Sequence, residues 1–64
     1  MVKINGEITE AAGKKLSDYL AEAGYDITKI AVERNGEIVP KAQYGETVLK
    51  DDDSLEVVTF VRGG

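Results

Sequence analysis

The dipeptide Asn-Gly occurs twice, at Asn5-Gly6 and Asn35-Gly36, each time between short runs of alternating side chains. Both central residues of a type I′ turn need positive φ, which Asn tolerates and Gly adopts freely, so the dipeptide closes two antiparallel strands without splaying them. The flanks fit that reading. Met1-Val2-Lys3-Ile4 enters the first turn and Glu7-Ile8-Thr9 leaves it; Ile30-Ala31-Val32-Glu33-Arg34 enters the second, and Glu37-Ile38-Val39 leaves it before Pro40 stops the outer arm. Two hairpins within 64 residues leave room for a single domain, 1–64, because a chain this short buries only about 60% of the surface its unfolded form exposes.

Between Gly13 and Gly24 the apolar positions Leu16, Tyr19, Leu20 and Ala23 recur at i, i+3, i+4 and i+7, with Asp18, Ala21 and Glu22 off the stripe. This predicts one short amphipathic helix with Tyr19 in the core. Gly24 suits a left-handed helix end, whereas Ser17 is a candidate N-cap lying inside the apolar pattern. Residues 41–49 have no clean period and suit an irregular connection with one helical turn. Asp51-Asp52-Asp53-Ser54 reads as a solvated turn before a last strand, Leu55–Val61, that alternates two faces. Hairpin, helix, hairpin and strand make an α+β order, in which a mixed sheet packs against one main helix. The last strand is expected beside the first and parallel to it, since the long intervening segment supplies the crossover that parallel strands need.

Chemistry within the chain is narrowly bounded. With no Cys and no His, thiolate zinc sites, iron–sulfur clusters, a cysteine nucleophile and the commonest general base are all excluded. A calcium loop starting at Asp51 would need Gly at its sixth position and Glu at its twelfth, where Glu56 and Arg62 stand. Neither phosphate-loop glycine pattern occurs, and no metal or cofactor site is expected. The formal net charge of −4 disfavours nucleic acid and anionic membranes and favours a basic partner surface. No apolar run approaches a membrane span and no apolar signal segment opens the chain, which places it in the cytoplasm.

What remains is Gly63-Gly64. Two glycines carry no β-carbon to obstruct a narrow channel, so a segment of about 62–64 is expected to be a mobile tail able to deliver the Gly64 carboxylate into a partner's active site. A carboxylate is unreactive to acyl transfer at neutral pH, and attack on the α-phosphorus of ATP is the usual route to an activated acyl adenylate. Such an ATP site must lie on another protein. A frayed end without function is equally open on composition alone.

Taken together, Val2-Lys3-Ile4-Asn5-Gly6-Glu7, the stretch Ala31 to Pro40, Gln43, Glu46 to Asp51, Asp53, Leu55 to Val58 and Gly63-Gly64 resemble the ubiquitin-like sulfur carrier proteins of thiamin thiazole biosynthesis. The resemblance implies a β-grasp fold and a non-enzymatic role. It further implies that an adenylating enzyme using ATP and magnesium activates Gly64. A desulfurase system then supplies sulfur to form a thiocarboxylate, and thiazole synthase receives that sulfur. Two positions depart from the family pattern: Asp52 stands where Gly is common, implying positive φ, and Arg62 makes Val61-Arg62-Gly63-Gly64 echo the tail of ubiquitin.

If Leu55, Val57 and Val61 face the helix, Val58 and Phe60 lie on the open face near the tail. They are then either covered by the chain's own loops or free to dock, with Arg62 and Gly63, against a partner. Alternative readings are the small sulfur-carrying subunit of molybdopterin synthase, a β-grasp interaction module without covalent chemistry, a modifier joined to lysines, and an autonomous enzyme.

Overall fold

Both Asn-Gly dipeptides form the turns their chemistry dictates: Asn5 and Gly6 have φ of 52° and 85°, and Asn35 and Gly36 have φ of 54° and 87°. The computed structural model describes residues 1–60. The first turn joins β1 (Val2–Ile4) to β2 (Glu7–Thr9), and the second joins β3 (Ile30–Arg34) to β4 (Glu37–Ile38). The last strand, β5 (Ser54–Thr59), enters between the hairpins to give the order β2-β1-β5-β3-β4. It runs parallel to β1, with Lys3 opposite Ser54 and Ile4 opposite Leu55, and antiparallel to β3 from Ile30–Thr59 to Arg34–Leu55. The expected α+β order, including the parallel pair, is the one found.

Helix α1 spans Leu16–Glu22. Leu16 and Leu20, one turn apart, are fully buried with Val2, Ile4, Ile30, Val32, Leu55 and Val57. Truncating either leucine to Ala would cost about 2–5 kcal/mol through lost burial and the cavity left behind. The rest of the expected stripe is thinner: Tyr19 only half enters the core, and Ala23 is exposed. Ala23 is the C-cap, and the chain turns away there through Gly24, whose φ is 85°. The Tyr25 N–H donates to the Leu20 carbonyl and the Gly24 N–H to the Ala21 carbonyl, satisfying two orphan acceptors in a Schellman motif.

Ser17 is not the N-cap. Lys15 is, and no side chain caps the helix. The N–H groups that would call for one are taken by backbone instead: Leu16 donates to the Thr47 carbonyl at 2.8 Å and Ser17 to the Tyr44 carbonyl at 3.0 Å. Residues 41–49 therefore act as the cap. This irregular connection holds the expected helical turn, a 3₁₀ turn at Lys41–Gln43. It also inserts Tyr44 and Leu49 into the core, which its lack of period concealed.

The acidic turn departs from a uniformly solvated one. Asp51 and Asp52 are exposed, but Asp53 is buried. The Asp53 N–H donates to the Lys50 carbonyl, and Asp52, at the third position of that turn, has φ of 73°. Positive φ at that position belongs to a type II turn and favours glycine. Asp52→Gly is therefore expected to leave stability unchanged or raise it by up to about 1 kcal/mol in urea unfolding, relief of the left-handed side chain offsetting the added chain entropy; clear destabilisation would count against strain at this residue.

Candidate functional site

The candidate site is the end of β5 and the sheet face opposite α1. Alternation along β5 buries Leu55 and Val57 and turns Glu56 and Val58 outward. Val58 is 56% exposed and Phe60, just past the strand, 39%. Of the two outcomes left open by the sequence, these side chains are therefore not covered by the chain's own loops within residues 1–60. Thr59, which strand alternation puts on the same side as Leu55, is exposed at the end of the ladder, opposite Ile30. Val61, Arg62, Gly63 and Gly64 lie outside the described residues.

The open face is not purely apolar. Register places Ala31 opposite Val58, Glu33 opposite Glu56, and Ile38 opposite Glu33. Two like charges directly across a strand pair are unfavourable by a fraction of a kcal/mol. Among the described residues neither carboxylate enters an ion pair, since the pairs there are Met1–Asp51, Lys14–Glu22 and Arg34–Asp53. This arrangement of exposed Val58, Phe60 and Ile38 around two acids suits a surface that is apolar and basic.

What fixes β5 is a set of side-chain clamps from the two hairpin turns. Asn5 Oδ1 accepts the Val57 N–H at 2.8 Å, and its Nδ2 donates to the Val57 carbonyl at 3.3 Å. From the other side Asn35 Oδ1 accepts the Ser54 N–H at 2.9 Å, while its Nδ2 donates to Asp53 Oδ1 at 3.0 Å. Asp53 Oδ2 accepts from Arg34 Nε and from the Lys50 N–H, both at 2.9 Å. Past the strand, the Phe60 N–H donates to the Lys29 carbonyl at 2.9 Å. The asparagines predicted as turn formers thus also hold the strand that leads to the tail, a role that no local pattern signals.

Burial alone would raise the Asp53 pKa, but the Lys50 N–H, the Asn35 amide and the Arg34 guanidinium outweigh it and hold the carboxyl below its ordinary value. Among the described residues no cluster of three or more His, Cys, Asp or Glu is placed to hold a metal. No helix there is long and apolar enough to cross a membrane.

A family sequence model, described as the ThiS family, matches residues 2–64. The chain belongs to the ThiS family. It is 36% identical to the sulfur carrier protein ThiS of Thermus thermophilus, with both chains covered in full. It is also 47% identical, over 95% of its length, to a thiazole synthase of Paramagnetospirillum magneticum. It spans only about a fifth of the thiazole synthases it matches, 19% and 20% of their lengths. A crystal structure of the thiamine biosynthesis protein ThiS from Geobacter metallireducens superposes with a TM-score of 0.75 at 27% identity, covering 98% of this chain and 97% of that one. The β-grasp fold expected from the resemblance is thereby shown.

The Asp53 network sets a pH dependence. A carboxylate whose folded pKa is depressed stabilises the fold above its unfolded value, about 3.9 for Asp, and that contribution is lost as pH falls through the lower folded value. Asp53→Asn should cost about 1–3 kcal/mol at pH 7, the scale of hydrogen bonds to a charged group. The gap to the parent chain should close in acid; urea unfolding at pH 7 and below pH 3 measures it, and a gap independent of pH would argue against the network.

Proposed function

We propose that the chain is a sulfur carrier whose working group is the Gly64 carboxylate. The observation that carries this reading is the family match running from residue 2 through Gly64, joined to full-length similarity with a protein named as a sulfur carrier. A carboxylate oxygen of Gly64 attacks the α-phosphorus of ATP in a partner adenylating enzyme, with magnesium neutralising the phosphates, and pyrophosphate leaves. The outer sulfur of a persulfide charged by a cysteine desulfurase then displaces AMP to give an acyl disulfide. A second thiol on the partner attacks the partner's sulfur, so that the S–S bond breaks, the Gly64 acyl carbon leaves as a thiocarboxylate and the two partner thiols end as a disulfide. Thiazole synthase receives that sulfur. The thiocarboxylate suits this transfer because sulfur attacks carbon well while the acyl link stays cleavable.

The carrier contributes no acid, base or metal to these steps. Its part is presentation: Gly63 and Gly64 pass a narrow entrance without side chains, Arg62 is read at the mouth, and Val58 and Phe60 dock beside it. The similarity to thiazole synthases supports that enzyme as the acceptor, since a carrier-like segment in the same polypeptide is held close to its user. A non-covalent interaction module is the competing reading, and removal of Gly64 separates the two. A carrier loses function with its fold intact, whereas a module retains binding.

Intact-mass measurement is the direct check. Incubation with ATP, magnesium, a thiamin-type adenylating enzyme and a sulfur source should replace one oxygen by sulfur at Gly64, and a chain lacking Gly64 should show no change; an enzyme active on another carrier but silent on this one would reject the proposal. Phe60→Ala should weaken the complex with the adenylating enzyme about 5- to 30-fold at unchanged thermal stability, the range of a truncated aromatic anchor. Unaltered affinity would remove Phe60 from the docking surface.

A further inference from the structure

The two Asn-Gly turns carry a reactivity that sulfur transport does not use. In an unfolded chain the glycine nitrogen can attack the preceding asparagine Cγ, because glycine has no β-carbon to obstruct the approach. The new C–N bond closes a five-membered succinimide and ammonia leaves. Water then opens the ring at either carbonyl to give aspartate or isoaspartate. The sum is Asn plus water to Asp plus ammonia, with no change of oxidation state.

We propose that Asn35 is a spontaneous deamidation site which the fold closes and unfolding opens, and whose aspartate product blocks return to the native hydrogen bonding, whereas Asn5 shares the reactivity without that consequence. The closure comes from the clamps. For Asn35 Cγ to reach the Gly36 nitrogen, the side-chain amide must leave both the Ser54 N–H at 2.9 Å and Asp53 Oδ1 at 3.0 Å. Asn5 must likewise surrender the Val57 N–H at 2.8 Å.

The products differ in what they meet. At position 35 a carboxylate oxygen replaces the amide nitrogen 3.0 Å from Asp53 Oδ1, and the Asp53 side chain is 8% exposed. Arg34 and the Lys50 N–H both engage the other oxygen, Oδ2. Two carboxylates at hydrogen-bond distance repel, with no donor left between them. At position 5 the Val57 N–H keeps its acceptor. The hydrogen bonds that Nδ2 gives up there are long, 3.3 Å to the Val57 carbonyl and 3.4 Å to the Tyr25 hydroxyl, and that hydroxyl can turn to donate to the new oxygen.

Two measurements on the whole chain test this. Held at mildly alkaline pH, the unaltered protein should deamidate at both turns more than about tenfold more slowly when folded than in urea that unfolds it, read by peptide mapping with isoaspartate detection. Asn35→Asp should lower the urea midpoint by about 1 M or more, and Asn5→Asp by much less. An Asn35→Asp chain that fails to fold beside a folded Asn5→Asp chain gives the same ordering. Equal deamidation at position 35 in the two states, an Asn35→Asp midpoint equal to the parent's, or an equal loss from both substitutions would overturn the proposal.

Discussion

Every part of this fold depends on β5 being paired on both edges. It is the only strand bridging the two hairpins among the described residues, with β1 on one side and β3 on the other. Each hairpin alone has two strands and would be marginal in water. Inserted between them, Leu55 and Val57 complete the apolar layer under Leu16 and Leu20. The alternate residues of the same strand form the open face. Core and candidate docking surface are therefore two faces of one short segment, and register ties them together: a slip by one residue would send Val58 inward and Val57 out.

Legibility in the sequence follows the range of the interaction. The Asn-Gly turns, the Gly24 helix end and the parallel placement of β5 rest on local chemistry or on the length of the connection, and the structure reproduces them. Ser17 does not cap the helix because the helix start is satisfied from Tyr44 and Thr47, far along the chain. Tyr44 and Leu49 are hidden for the same reason, since they enter the core from a segment without period. Asp53 looks like its two exposed neighbours, and only its partners Arg34 and Asn35, distant in sequence, make it an interior residue. At the candidate site, the exposure of Val58 and Phe60 follows from alternation. The facing of Glu33 and Glu56 requires the β3–β5 register, which one-dimensional patterning does not supply.

The division of labour proposed between this chain and a partner would have a plain physical basis. A domain of 64 residues has little interior from which to wall a deep site that would desolvate a nucleophile or stabilise a developing charge. What it offers is a sheet built around a clamped central strand, with a side-chain-poor segment continuing from it in sequence. Under the proposed function, association would rest on a modest apolar and acidic surface, suited to a partner that must bind, react and let go.

The central position of β5 also bears on vectorial synthesis. Strands β1 and β3 have no ladder between them until Ser54–Thr59 has been made, so the sheet closes from the inside and last. The pairing that joins the hairpins spans about fifty residues, from Ile4 to Leu55, a long-range closure of the kind that slows folding in general. A chain stopped between Ile38 and Ser54 holds both hairpins without the strand that joins them into one sheet, and such unpaired edges are what chaperones and proteases recognise.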